Sequence, residues 1–234
     1  MDGSIATGAA VSVMLIRAGV SPIATLPIAF LAGALAGMVT GLLNTALGIP
    51  GILASILTQI SLYSINLNIM GKANQPVSVD NYPLVVSLRY VTDGSVSRLL
   101  FFLGMIVFLL ALIAVMYWYF GTEQGHAIRA TGCNSNMARA QGINTNFIKV
   151  LALMISNGLV GLCGALYGQF QGASDVNMGR GAIVIGLAAV IIGEVLFGKF
   201  ASKRKLAFAF TLASVILGAV IYYMVYQFVL WLKM

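Results

Sequence analysis

Apolar residues in this chain fall in long unbroken runs separated by short polar stretches, the signature of buried or membrane-embedded helices rather than of alternating strands. Runs at 22–43, 49–70, 99–120, 147–172, 181–198 and 206–232 each come close to the ~20 apolar residues that carry a helix across a bilayer. An earlier run, 6–16, is too short to span upright and ends at Arg17. It reads as a broken or half-buried helix, or the remainder of a truncated one. Pro22 opens the next run, and Pro27 sits in its early turns. Gly48-Ile49-Pro50-Gly51 makes a tight connection, and Tyr117-Trp118-Tyr119-Phe120 closes its segment with an interfacial aromatic belt. Polar stretches cover 71–98, 121–146, Ala173–Arg180 and the basic turn Lys199–Lys205. The pattern predicts an all-α fold: one polytopic membrane helix bundle over 1–234, with about six to seven apolar segments. An outer-membrane barrel would instead show alternating strands of ~10 residues.

Composition narrows the class. The chain is 60% apolar and 8% charged, against ~45–50% and ~25% for soluble domains. A soluble enzyme, a nucleic-acid-binding domain and a disordered chain are all poor fits, and the lipid bilayer is the first partner. The net charge of +7 is what basic cytoplasmic loops produce. With no basic stripe interleaved with aromatics, no nucleic-acid partner is expected. Cys133 in a polar loop and Cys163 in an apolar run make neither a disulfide framework nor a metal site. Met1-Asp2-Gly3-Ser4 has no basic n-region, so no signal peptide is expected.

Orientation turns on charge density. With 121–146 inside, seven basic residues (Arg129, Arg139, Lys149, Lys199, Lys203, Arg204, Lys205) face the cytoplasm and six (Arg17, Lys72, Arg89, Arg98, Arg180, Lys233) the exterior. Four of the seven crowd the short 199–205 turn, where the positive-inside rule is strongest. The long 71–98 stretch, which also carries Asp80 and Asp93, is therefore read as an external loop and 121–146 as a cytoplasmic one.

Small residues recur at four-residue spacing: Gly33, Gly37 and Gly41, then Gly164, Gly168 and Gly172 beside Gly158 and Gly161. Such stripes let helix backbones approach closely in lipid; a lining where solute passes close to backbone is the other reading. The chain has no G-x-x-x-x-G-K-[ST] phosphate loop. Its single histidine, His126, reads as an interfacial polar residue or, alternatively, a proton relay. Glu194 is the one acid well inside an apolar segment. It is either the ionisable group of a carrier or a side chain snorkelling toward Lys199. Uncharged polar groups within the spans offer a translocation path for a small polar solute, with Thr58, Gln59, Asn66, Asn157 and Gln169 as candidates. Interhelical hydrogen bonding is the competing account. Helical spacing puts Thr58, Ser61 and Ile65 on one face of their helix and Gln59 with Asn66 on another.

Residues 121–149 carry the most information. Ser135–Gln141 reads as a short helix, with Asn134 as N-cap and Gly142 in the left-handed position after its end. Asn144 can then cap the following membrane helix. Gly125, Arg129-Ala130, Asn134, Met137-Ala138 and Gly142-Ile143-Asn144 form a spaced pattern, G-x-x-x-R-A-x-x-x-N-x-x-x-A-x-x-x-G-I-N.

That pattern resembles the cytoplasmic coupling loop of permeases from ABC importers of the branched-chain amino acid and ribose class. Asp2-Gly3-Ser4 with Gly8-Ala9-Ala10, Gly161–Leu166 with Gln169, and Gly186–Gly193 are similar to further segments of the family. The likeness is strongest to a subgroup encoded beside a binding lipoprotein and linked to tryptophan or tyrosine uptake. It implies a multi-pass permease in the plasma or inner membrane that is not itself an enzyme and needs no cofactor. It also implies a pair of ATP-binding subunits, an extracytoplasmic solute-binding lipoprotein, a second permease copy as homodimer partner, and an amino acid as solute. Gly125, Arg129, Ala130, Asn134, Met137, Ala138, Gly142 and Ile143 would couple it to the ATPase. Relatives usually carry a helix before the Asp2 region and a segment after Lys233, so a fragment or shortened subunit is expected. The alternatives are a self-contained secondary transporter or channel using Glu194, and a membrane scaffold subunit.

Overall fold

The structure, a computed structural model, describes residues 2–77, 84–86, 95–201 and 207–232. Asp80, Arg89, Asp93, Lys203, Arg204, Lys205 and Lys233, used above to set the orientation, lie outside the described residues. Helices α1 (Asp2–Arg17), α2 (Pro22–Thr45) and α3 (Gly51–Met70) lead to a short strand, β1 (Asn74–Pro76). Then come α4 (Ser95–Phe120), α5 (Glu123–Cys133), α6 (Ser135–Ala140) and α7 (Thr145–Gln171). A second strand, β2 (Ala173–Asp175), precedes α8 (Ala182–Ala201) and α9 (Ala207–Trp231). Among the described residues, α2, α3, α7, Leu99–Phe120 of α4 and Ala209–Trp231 of α9 are the five helices long and apolar enough to cross a membrane; Ala182–Leu196 is a shorter apolar helix. All six long runs of the sequence are thus helices at nearly the expected bounds. The helices form two compact units, one of Met1–Gly104 with Gln124–Arg180, the other of Met105–Glu123 with Gly181–Met234.

In the first unit the shortest apolar run is the most enclosed. At ~1.5 Å per residue α1 is about 24 Å long, short of the ~30 Å hydrocarbon core. Its Ala6, Ala9, Ala10, Val13 and Ile16 are nonetheless almost wholly buried. Small residues make this close packing feasible. A β-carbon on Gly8 would run into the Gly161 carbonyl of α7, and one on Gly164 into the Ile5 carbonyl of α1. On α2, a β-carbon at Gly33 or Gly37 would strike the carbonyls of Asn157 or Leu153, and at Gly41 it would lie 2.9 Å from the Val150 Cα. With lipid as apolar as leucine, such backbone-to-backbone contact supplies much of what holds helices together. The glycine stripes are therefore packing faces. Gly172 is the exception: at φ +66° it caps α7 instead of extending the stripe.

The two strands were not expected. β1 and β2 pair antiparallel, with Gln75 opposite Ser174. The ribbon is extended by Val77 N–H donating to the Gly172 carbonyl (2.8 Å) and Val176 N–H to the Ala73 carbonyl (3.0 Å). At three residues each, the strands are too short for an alternation to read. The ribbon ties the 71–77 and 173–176 connections to one end of the unit. Since α7 is about 40 Å long, α6 lies at the opposite end.

In the second unit α8 packs on α9 through the same device. A β-carbon on Gly193 would meet the Ser214 carbonyl, and one on Gly218 the Ala189 carbonyl. Leu187, Ile191, Val195, Val225 and Phe228 stay exposed, the surface a lipid-facing helix requires.

Candidate functional site

At the α6 end, every expected cap is present. The Asn134 side chain accepts hydrogen bonds from the Asn136 and Met137 backbone N–H groups, both at 3.1 Å. Gln141 caps the other end, so the helix stops one residue earlier than expected. Gly142 follows at φ +85°, a conformation that costs a residue with a β-carbon ~1–2 kcal/mol. Ile143 N–H donates to the Ala138 carbonyl (3.1 Å) and Gly142 N–H to the Arg139 carbonyl (3.0 Å). These are the paired bonds of a Schellman stop. Asn144 then accepts from Phe147 N–H (3.2 Å) to cap α7, and Arg139 Nη2 donates to Thr145 Oγ1 (3.1 Å). The short helix is therefore fixed to the first turn of a long one. Ala138 is buried beneath it, while Met137 stands 61% exposed beside it.

The sequence reading missed α5, which precedes Asn134. Its glycines and threonine are weak helix formers and no apolar period marks it. Gly125 and Thr131 are buried, while Arg129, Ala130 and His126 are exposed. A 310 Å³ groove lined by Ile128, Thr131, Ile148 and Lys149 separates α5 from the start of α7.

The five amide and hydroxyl candidates split into two groups. Thr58, Asn157 and Gln169 are interhelical clamps. Thr40 Oγ1 donates to Thr58 Oγ1 (2.9 Å), which donates to the Ala54 carbonyl (2.9 Å). Ser4 Oγ donates to Asn157 Oδ1 (2.8 Å), and Asn157 Nδ2 to the Leu153 carbonyl (2.9 Å). Gln169 Nε2 lies 3.2 Å from both Ser12 Oγ and Thr25 Oγ1, and its Oε1 accepts from Val85 N–H (3.3 Å). Of the expected face of Thr58, Ser61 and Ile65, only Thr58 is buried. Ala54, Thr58, Leu62, Asn66 and Met70 form the buried face of α3, and Ser61 and Ile65 are exposed. Buried spacing on α3 follows four residues because α1 and α2 both pack against it.

Gln59 and Asn66 do come together, on one wall of a 380 Å³ cleft. Asp2 and Gly3 of α1 form a second wall; Val176, Asn177, Gly179 and Arg180 of the β2–α8 connection form a third. Tyr63, Ile56 and Ile60 add an apolar face. Asn66 is fully buried, yet neither its Nδ2 nor its Oδ1 has a hydrogen-bond partner among the described residues, and Asp2 Oδ1 is in the same state. An unmet buried polar group costs ~1–3 kcal/mol. No spacing in the sequence links Asp2 or Arg180 to Asn66, because they come from the ends of separate elements. Glu194, on the second unit, is exposed.

Apolar helices of membrane length, packed through glycine with polar clamps between them, define a polytopic helical membrane protein. The profile described as "Branched-chain amino acid transport system / permease component" matches residues 1–234, and the chain belongs to that ABC permease family. It is a multi-pass protein of the plasma membrane. It is similar to a tyrosine transport system permease protein of Clostridioides difficile (strain R20291), 38% identical over 233 residues, 100% of this chain and 73% of the relative. An uncharacterised protein of Rickettsia prowazekii (strain Madrid E) is 33% identical over 84% of this chain and 66% of its own. The autoinducer 2 import system permease protein of Yersinia pseudotuberculosis serotype O:3 (strain YPIII) is 30% identical over 82% of this chain and 53% of its own. The chain thus spans between about half and three quarters of these relatives. No solved structure matches it.

Proposed function

We propose that the chain is the membrane-spanning subunit of an ATP-driven importer of an amino acid, with 121–146 on the cytoplasmic side. Hydrolysis belongs to a pair of separate ATP-binding subunits, solute delivery to an extracytoplasmic binding lipoprotein, and the working transporter holds a second permease copy. The observation that carries the reading is α6: a short helix, capped at both ends, fixed to α7 and presenting an exposed Met137. Such an element passes movement of a docked ATPase into α7, and α7 is packed through glycine against α1 and α2. A two-state change in the partner then biases the membrane helices without the permease binding nucleotide. The family description and the tyrosine permease of C. difficile support an amino acid as solute.

Gly142→Val tests this in the reconstituted complex. The expected result is normal membrane insertion with loss of ATPase binding or of solute-stimulated hydrolysis. Unchanged stimulation would remove the coupling role.

A further inference from the structure

Resting on the importer reading above, we infer that the cleft between α1, α3 and the β2–α8 connection is a solute station on the transport path, built for the zwitterionic head of an α-amino acid carrying a flat apolar side chain. The cleft sits level with the middle of α3, between Ile56 and Asn66. Its third wall is irregular backbone: after β2 the chain runs back along α1 until Gly179 packs against the Asp2 carbonyl. Non-helical backbone at membrane depth persists where protein buries it or where it lines a cavity. Transporter sites form near the bilayer midplane against such backbone.

Asn66 points to a ligand independently. The other buried amides of this unit, Asn157 and Gln169, are hydrogen-bonded, whereas Asn66 is fully buried with donor and acceptor both unmet. One side chain thus offers a donor and an acceptor to whatever enters. Asp2 brings a carboxylate with an unmet oxygen, and Arg180 a guanidinium, to the same cleft. A lone cation or anion would answer only one of them; a zwitterion answers both, its ammonium at Asp2 and its carboxylate at Arg180. Tyr63 and Ile60 supply the apolar wall for the side chain. The 380 Å³ volume falls within the ~300–1,000 Å³ of small-molecule sites.

The test uses the complete transporter in proteoliposomes, with Cys133 and Cys163 replaced and Ser64→Cys as reporter at the cleft. A methanethiosulfonate reagent should label Ser64→Cys, and L-tyrosine at ten times its dissociation constant should slow labelling roughly tenfold. Tyramine, which lacks the carboxylate, should not. Arg180→Gln and Asn66→Leu should each abolish the protection, and Asn66→Leu should leave thermal stability equal or higher because it removes an unmet amide. Equal labelling with and without L-tyrosine, in a complex whose ATP hydrolysis still responds to the loaded binding protein, overturns the site and leaves the importer standing. A reporter that never reacts overturns it too, since another part of the assembly then fills the cleft. Protection without any ATPase response keeps the site and overturns the importer reading.

Discussion

The α6 end of the first unit and the cleft differ in one physical respect. At α6 the helix ends are closed by hydrogen bonds: from Asn136 and Met137 to Asn134, through the Schellman pair at Gly142, and from Phe147 to Asn144. In the cleft, the buried Asn66 side chain and the Oδ1 of half-buried Asp2 have no hydrogen-bond partner among the described residues. A satisfied region is built to hold its shape and transmit movement, while an unsatisfied one stores a deficit that a bound group can remove. Both rest on the same scaffold, the glycine contacts of α1 and α2 with α7.

The largest effect should come from breaking that scaffold. Gly8→Val sets a side chain against the Gly161 carbonyl, backbone against backbone, where overpacking costs ~1–3 kcal/mol or more. Thermal unfolding in detergent should show a lower midpoint, and the regions should fail together, with uptake and ATPase stimulation both lost. Gly142→Val should come next. It strains the turn by ~1–2 kcal/mol, misplaces α6, and leaves ligand protection at the cleft intact. Loss of that protection would mean the two regions are not separable.

Asn134→Ala should be milder. Removing two accepted bonds costs ~1 kcal/mol at an N-cap, so solute-stimulated hydrolysis should fall partially and Asn134→Ser should restore it. Full activity in Asn134→Ala would show that α6 need not be preformed. Smallest of all, Glu194→Gln should leave uptake unchanged. Glu194 is exposed on α8, and the change removes only titration. If uptake collapses in Glu194→Gln, and a protonophore abolishes it in the parent, a proton-driven carrier replaces the importer.

How far the sequence disclosed each region follows from the range of the forces involved. Bilayer thickness acts on length and composition, so the runs from 22–43 to 206–232 read directly as α2, α3, α4, α7, α8 and α9. Caps act over three or four residues, so Asn134, Gly142 and Asn144 were legible one by one. α5 has neither signal, and the three-residue strands of the ribbon exist only because 74–76 meets 173–175. The cleft was half visible: Gln59 and Asn66, seven residues apart, share a helix face. Asp2 and Arg180 reach it through tertiary packing, which no spacing records. Nor does residue type separate Asn157 or Gln169, which clamp helices, from Asn66, which has nothing to clamp.

The central claim is that α6 docks on the ATP-binding subunit, and a cross-link tests it most directly. In a background lacking Cys133 and Cys163, Met137→Cys places a thiol on the exposed face of α6. Lys72→Cys places one beside the ribbon, at the opposite end of the unit. A thiol-directed cross-linker should join Met137→Cys to the ATP-binding subunit and leave Lys72→Cys unjoined to it. Cross-linking of Lys72→Cys with none at Met137→Cys would contradict both the coupling role and the orientation.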